Sequence, residues 1–112
     1  MDNKKDNKYF ASKALESINI IHDYFGIMSY EEFQQDTMLI DAILFRLVQV
    51  VENIKSLTDD FKNEFPFIPW GEIIGFRNGI VHEYGKTDYS EVYKILVEDI
   101  KDLEEVLKTL IS

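Results

Sequence analysis

Apolar residues recur along this chain at three- and four-residue steps, the period of a helix buried along one side. Phe10, Ala14, Ile18, Ile21 and Phe25 set the first run and predict a helix over about Tyr9 to Phe25, with Gly26 as its C-terminal cap. Ser29-x-x-Glu32 has the form of a capping box, in which hydroxyl and carboxylate each satisfy a free backbone N–H. It opens a segment whose packing face begins at Phe33. Ile40, Ile43, Leu44, Leu47, Val50, Val51, Ile54 and Leu57 predict a long helix from about Asp36 to Leu57. Pro66 and Pro69 bound a short connection, and a third helix begins near Pro69 or Trp70, since proline is tolerated in a first turn. Asp88-x-x-Glu91 caps a last helix, where Tyr89, Tyr93, Leu96, Ile100, Leu103, Leu107 and Leu110 alternate steps of four and three. That spacing is a seam for another helix, inside the bundle or in a second subunit. The expectation is an all-α antiparallel helical bundle of four to five helices. It forms one domain over 1–112, with 1–8 as a flexible start.

Composition narrows what such a bundle does. Only 7 of the 112 residues are Gly or Pro, in keeping with long helices, and the absence of cysteine excludes disulfides, thiolate metal sites and cysteine nucleophiles. Twelve Lys plus Arg against 21 Asp plus Glu give a formal charge of −9, a poor match to a broad surface that tracks phosphates. The charge is uneven: residues 1–28 and 67–87 each sum to zero, 29–66 to −5 and 88–112 to −4. Ligand binding is therefore expected at a focal site. The polar start resembles no signal peptide and no window matches a membrane span, so a soluble cytoplasmic protein without membrane contact is expected. His22-Asp23 and His82-Glu83 lack a second histidine at metal spacing, and neither a metal nor a cofactor is expected.

The third helix departs from the pattern. With Arg77 at 0° on a wheel of 100° per residue, Ile73, Ile74, Phe76, Ile80 and Val81 fall between about 260° and 60° through zero. Arg77 and Tyr84 thus lie near the middle of an apolar arc, with Asn78 and His82 on its border near 100° and 140°. A charge in such a place is paired or used. One reading pairs Arg77 with a core carboxylate such as Glu52 and makes His82 a satisfied interface histidine; the other makes both functional. Gly75 and Gly79 weaken the helix but let a backbone or a ligand approach closely.

Arg77-x4-His82-x-Tyr84 resembles the signature of HepT-like toxins, within the HEPN ribonuclease superfamily. Pro66, Pro69 and Trp70 precede an Arg77-Asn78 pair as in that family, and a long final helix follows. Upstream, Arg46 and Glu52 match the family's Arg and Gly-Glu segment, whereas Val51 replaces the usual glycine and Asn53 a small residue. The resemblance covers roughly residues 9 to 110.

What it implies is the toxin of a type VII-like toxin–antitoxin system: a homodimeric, metal-independent endoribonuclease with its motif helices face to face. The RNA 2′-hydroxyl would attack its own phosphate. His82 would move protons, as an imidazole titrating near pH ~6.5 can, and Arg77 would bind phosphate oxygens. Asn78 would support one or the other. Tyr84 would accept AMP from a cognate minimal nucleotidyltransferase antitoxin, which neutralises the enzyme. The alternative within the resemblance is a non-catalytic helical module that partners or presents substrate to a nucleotidyltransferase. A purely structural dimerisation protein would explain the last seam, but not Arg77.

Overall fold

Side chains at the turns decide where the helices begin. The computed structural model describes residues 6–82 and 88–111, with Val81 and His82 placed by backbone alone. Asp6 accepts from the Tyr9 N–H at 3.0 Å and opens α1 (Asn7–Phe25). Gly26, at φ 57°, ends α1 by returning its N–H to the His22 carbonyl, a backbone angle that a side chain would resist. The Ser29–Glu32 box closes in both directions, at 3.2 and 2.9 Å, at the head of α2 (Tyr30–Gln35). Asp36 caps α3 (Thr37–Lys55) and Thr58 caps α4 (Asp59–Asn63). Next comes α5 (Trp70–His82). Asp88 then opens a last helical run: α6 (Tyr89–Lys94), a π-helical stretch (Ile95–Asp99) and α7 (Ile100–Lys108).

The expected all-α bundle forms, and no strand occurs among the described residues. With the last run counted once, the described helices number six rather than four to five, because α4 forms in the stretch between Leu57 and Pro66, where no helix was expected. α3 is the centre of the packing: α1 and α5 lie against it, α2 crosses its start, and α7 closes on α1. The stripes that predicted the long helices are the buried ones, from Ala14, Ile18 and Ile21 to Ile43, Leu47 and Ile54.

The last helix differs from an ideal seam. At its π stretch the Ile100 N–H reaches back five residues to the Ile95 carbonyl. The widened turn lets both Ile95 and Leu96 face inward, above Ile100, Leu103 and Leu107. The seam is thereby used inside the bundle, against α1. His22 on α1 meets Glu104 on α7 at 2.7 Å, and Lys108 meets the other oxygen of that carboxylate at 3.2 Å. Burial opposes ionisation of Glu104, yet these two contacts prevail and hold its carboxyl below the ordinary glutamate range.

Two aromatic residues lock the frame that carries α5. Tyr93 donates its hydroxyl to the Met28 carbonyl at 3.1 Å and packs its ring on those of Phe25, Tyr30 and Phe33. The Trp70 indole N–H is shared by the Lys62 and Phe65 carbonyls, each at 3.1 Å. Trp70 thus ties the end of α4 to the first residue of α5.

Candidate functional site

Ile73 and Ile80 anchor α5 in the core, at 2% and 7% exposure. Ile74 and Phe76, although apolar, are only half-buried. The side chains covered best therefore centre near 310° on the wheel, and Arg77 stands at the edge of the covered face rather than near the middle of it. The apolar arc is wider than the face this chain covers.

Arg77 reaches across to α3. Its Nε lies 3.0 Å from Glu52 Oε1, and its Nη1 donates to Asn78 Oδ1 at 3.1 Å. The Nε approach is a contact of charges and not an aligned hydrogen bond: among the described residues, this Nε is the buried side-chain polar atom left without a hydrogen-bond partner. The pairing with Glu52 raised by the sequence thus exists, but Glu52 is no core carboxylate, its side chain being 45% exposed against 23% for Arg77. A guanidinium carries five N–H donors, and here one of them makes a recorded side-chain hydrogen bond.

Arg77, Asn78 and Glu52 are brought together. His82 is the last described residue of α5, one turn beyond Asn78, and its side chain lies outside the described residues, as does the whole of Tyr84. Gly71, Gly75 and Gly79 fall at about 120°, 160° and 200°, in the sector of Asn78 and His82. A methyl group added at any of them would meet nothing within 4 Å. The close approach expected at Gly75 and Gly79 is therefore not to this chain's own backbone. It leaves a bare strip of helix beside Asn78 for something else to touch.

Sequence reasoning passed over one feature of the neighbourhood. Arg46, noticed only as a family match, lines a groove between α1 and α3 with Lys13, Glu16, Ser17, Gln49 and Asn53. Its signal was available: it is the only other arginine, and it sits a helical turn and a half before Glu52. Among the described residues, no group of three or more His, Asp or Glu is placed to hold a metal ion. Nor is any described helix long and apolar enough to cross a membrane.

These features define a class: a small helical domain that presents an Arg-Asn pair from one helix, beside a bare glycine strip, with His82 one turn further along that helix. The model of a family described as Ribonuclease HepT-like matches residues 14–110. The chain belongs to the HepT-like ribonuclease family, an enzyme class that acts on RNA. It is 32% identical over 102 residues to a candidate RNase of Methanocaldococcus jannaschii, covering 91% of this chain and 94% of the relative. A second candidate RNase of that organism is 31% identical over 111 residues, with 96% and 92% covered. A protein of Thermococcus cleftensis named as a probable ribonuclease HepT is 29% identical over 101 residues, with 90% and 92% covered. No solved structure matches.

Proposed function

We propose that the chain is a metal-independent endoribonuclease toxin in which Arg77 and His82 are the catalytic residues and Asn78 supports them. The observation that carries this reading is the state of Arg77, held at the edge of α5 by a half-exposed carboxylate, with most of its donors uncommitted among the described residues. A cation so placed exchanges an anionic partner readily, because an exposed pair is worth little. In the reaction the RNA 2′-hydroxyl loses its proton to a base and attacks the adjacent phosphorus. The bond to the leaving 5′-oxygen breaks as that oxygen takes up a proton. The product is a 2′,3′-cyclic phosphate. His82 is the proton-transfer group, and the planar fork of Arg77 binds the phosphate oxygens as their charge builds.

A second copy of the chain fits the uncovered surface. Met38 and Phe45 on α3 are 82% and 58% exposed, and Ile74 and Phe76 on α5, which packs on α3, are only partly covered. These residues support a homodimer with α5 facing α5. Tyr84, two residues past His82, is the acceptor of AMP from a minimal nucleotidyltransferase antitoxin in this reading. The added phosphate would bring negative charge to the Arg77 region and keep RNA away.

The non-catalytic reading is favoured by the same Arg77–Glu52 contact, which a structural arginine would also make. Cleavage decides between them. Wild-type protein should cut RNA in the presence of EDTA, leave cyclic phosphate ends and arrest growth when expressed alone. Arg77→Ala and His82→Ala should lose activity by at least a hundredfold, in line with loss of general acid–base catalysis or charge stabilisation. Incubation with the transferase and ATP should add AMP mass to wild type and not to Tyr84→Phe. Retained cleavage by folded His82→Ala would overturn the catalytic assignment, and no arrest by folded wild type would favour the helical module.

A further inference from the structure

The catalytic reading leaves the second arginine of the chain without a task. Arg46, on α3, is half-buried with its guanidinium 5.6 Å from the centroid of the Phe45 ring. Among the described residues, no ion pair or side-chain hydrogen bond holds it. Partial desolvation of a cation is costly unless an anion offsets it. The α1–α3 groove that Arg46 lines has a volume of about 360 Å³.

The groove's other groups indicate which anion. Lys13 and Glu16 stand 3.6 Å apart and offset each other, so Arg46 leaves the groove net positive in a molecule of charge −9. Ser17 is the buried polar side chain among its lining groups, at 6% exposure. Asn53 donates to the Gln49 carbonyl at 2.8 Å, which steadies its carboxamide against the groove. Arginine with carboxamides is the equipment for a phosphate joined to a base: the fork binds the phosphate, and the amides pair with base edges.

The groove also lies within reach of the candidate catalytic centre. With Glu52 at 0° on the α3 wheel, Gln49 falls at 60°, Asn53 at 100° and Arg46 at 120°. Arg46 precedes Glu52 by about 9 Å along the helix axis. Glu52 in turn touches Arg77. One RNA strand with its scissile phosphate at Arg77 can therefore lay a neighbouring nucleotide over Gln49 toward Arg46.

We propose that the α1–α3 groove is an RNA subsite, in which Arg46 binds a backbone phosphate flanking the scissile one and Gln49 and Asn53 meet the adjoining base. The inference rests on the ribonuclease reading and supplies what holds the strand. Arg46 is a binding and positioning residue that takes no part in proton transfer.

The probe is a short single-stranded RNA of mixed sequence carrying 2′-O-methyl groups, which cannot be cut, so binding is read apart from chemistry. Arg46→Gln should weaken binding about tenfold and lower the salt slope by about one phosphate contact. Arg46→Lys should keep the slope and recover part of the affinity. Glu16→Gln, which removes the groove's carboxylate, should tighten binding. On cleavable RNA the loss in Arg46→Gln should fall on KM rather than kcat. Circular dichroism melts confirm that each variant is folded. Equal affinity and equal salt slope across wild type, Arg46→Gln and Glu16→Gln would overturn the subsite. If those variants behave as expected but His82→Ala still cuts RNA, the catalytic assignment fails and the subsite stands.

Discussion

At the scale of single residues, Arg77 is shared between two anions, the Glu52 carboxylate in the structure and an RNA phosphate in the proposed reaction. Glu52→Gln keeps the side chain's shape and removes its charge. The pair is too exposed for its loss to cost more than about 1 kcal/mol, so the melting temperature should hardly move. RNA should nevertheless bind more tightly, because the phosphate no longer displaces a carboxylate; melts and cleavage kinetics together check this. A large fall in stability with no gain in affinity would make Arg77–Glu52 a structural pair only. The pairing was legible in the sequence, since an arginine among aliphatic residues demands a partner and Glu52 lies near the end of the expected long helix. The position of Arg77 at an edge was not. A helical wheel counts Ile74 and Phe76 as core, although this chain covers them only in part.

At the scale of elements, α5 is built against its own propensity. Gly71, Gly75 and Gly79 each weaken a helix relative to alanine, and none is needed for packing within the chain. Gly79→Ala should therefore stabilise the folded protein by about 0.5–1 kcal/mol, seen as a higher melting temperature. Cleavage should fall at the same time, because the new methyl group stands on the strip beside Asn78 that RNA or a second α5 would touch. A lower melting temperature would mean that the strip is already packed. The end of α1, the box of α2 and the cap at Asp88 were readable, since each depends on a few neighbouring residues, whereas α1 begins at Asn7 behind the Asp6 cap, inside the stretch expected as a flexible start. α4 was missed because its signal, Thr58 ahead of Phe61, spans barely one turn. The π stretch was missed for a different reason: it reconciles Ile95 and Leu96 with a core that only the assembled bundle defines.

At the scale of the whole molecule, the charge of −9 and the proposed RNA chemistry are reconciled by placement. The acids concentrate before Pro66 and after Thr87, while Arg77 on α5 contacts Glu52 of α3, the helix that also carries Arg46. Geometry then bears on assembly. Arg77 and His82 lie about 140° apart on an ideal helix, so one copy of α5 does not turn both toward one phosphate. In the proposed dimer, two copies related by a two-fold axis would present Arg77 of one against His82 of the other, with the half-covered Ile74 and Phe76 as an apolar margin. The consequence is measurable by mixing. Arg77→Ala and His82→Ala proteins, each inactive alone, should regain activity when unfolded and refolded together, because the mixed dimer holds one site with both wild-type residues. Random pairing sets the recovery at roughly a quarter of wild type, as half the dimers are mixed and each has one of two sites intact. Native mass spectrometry verifies that mixed dimers form. Mixed dimers without activity would place Arg77 and His82 of each site on the same chain, and α5 would then have to depart from ideal helical geometry before His82.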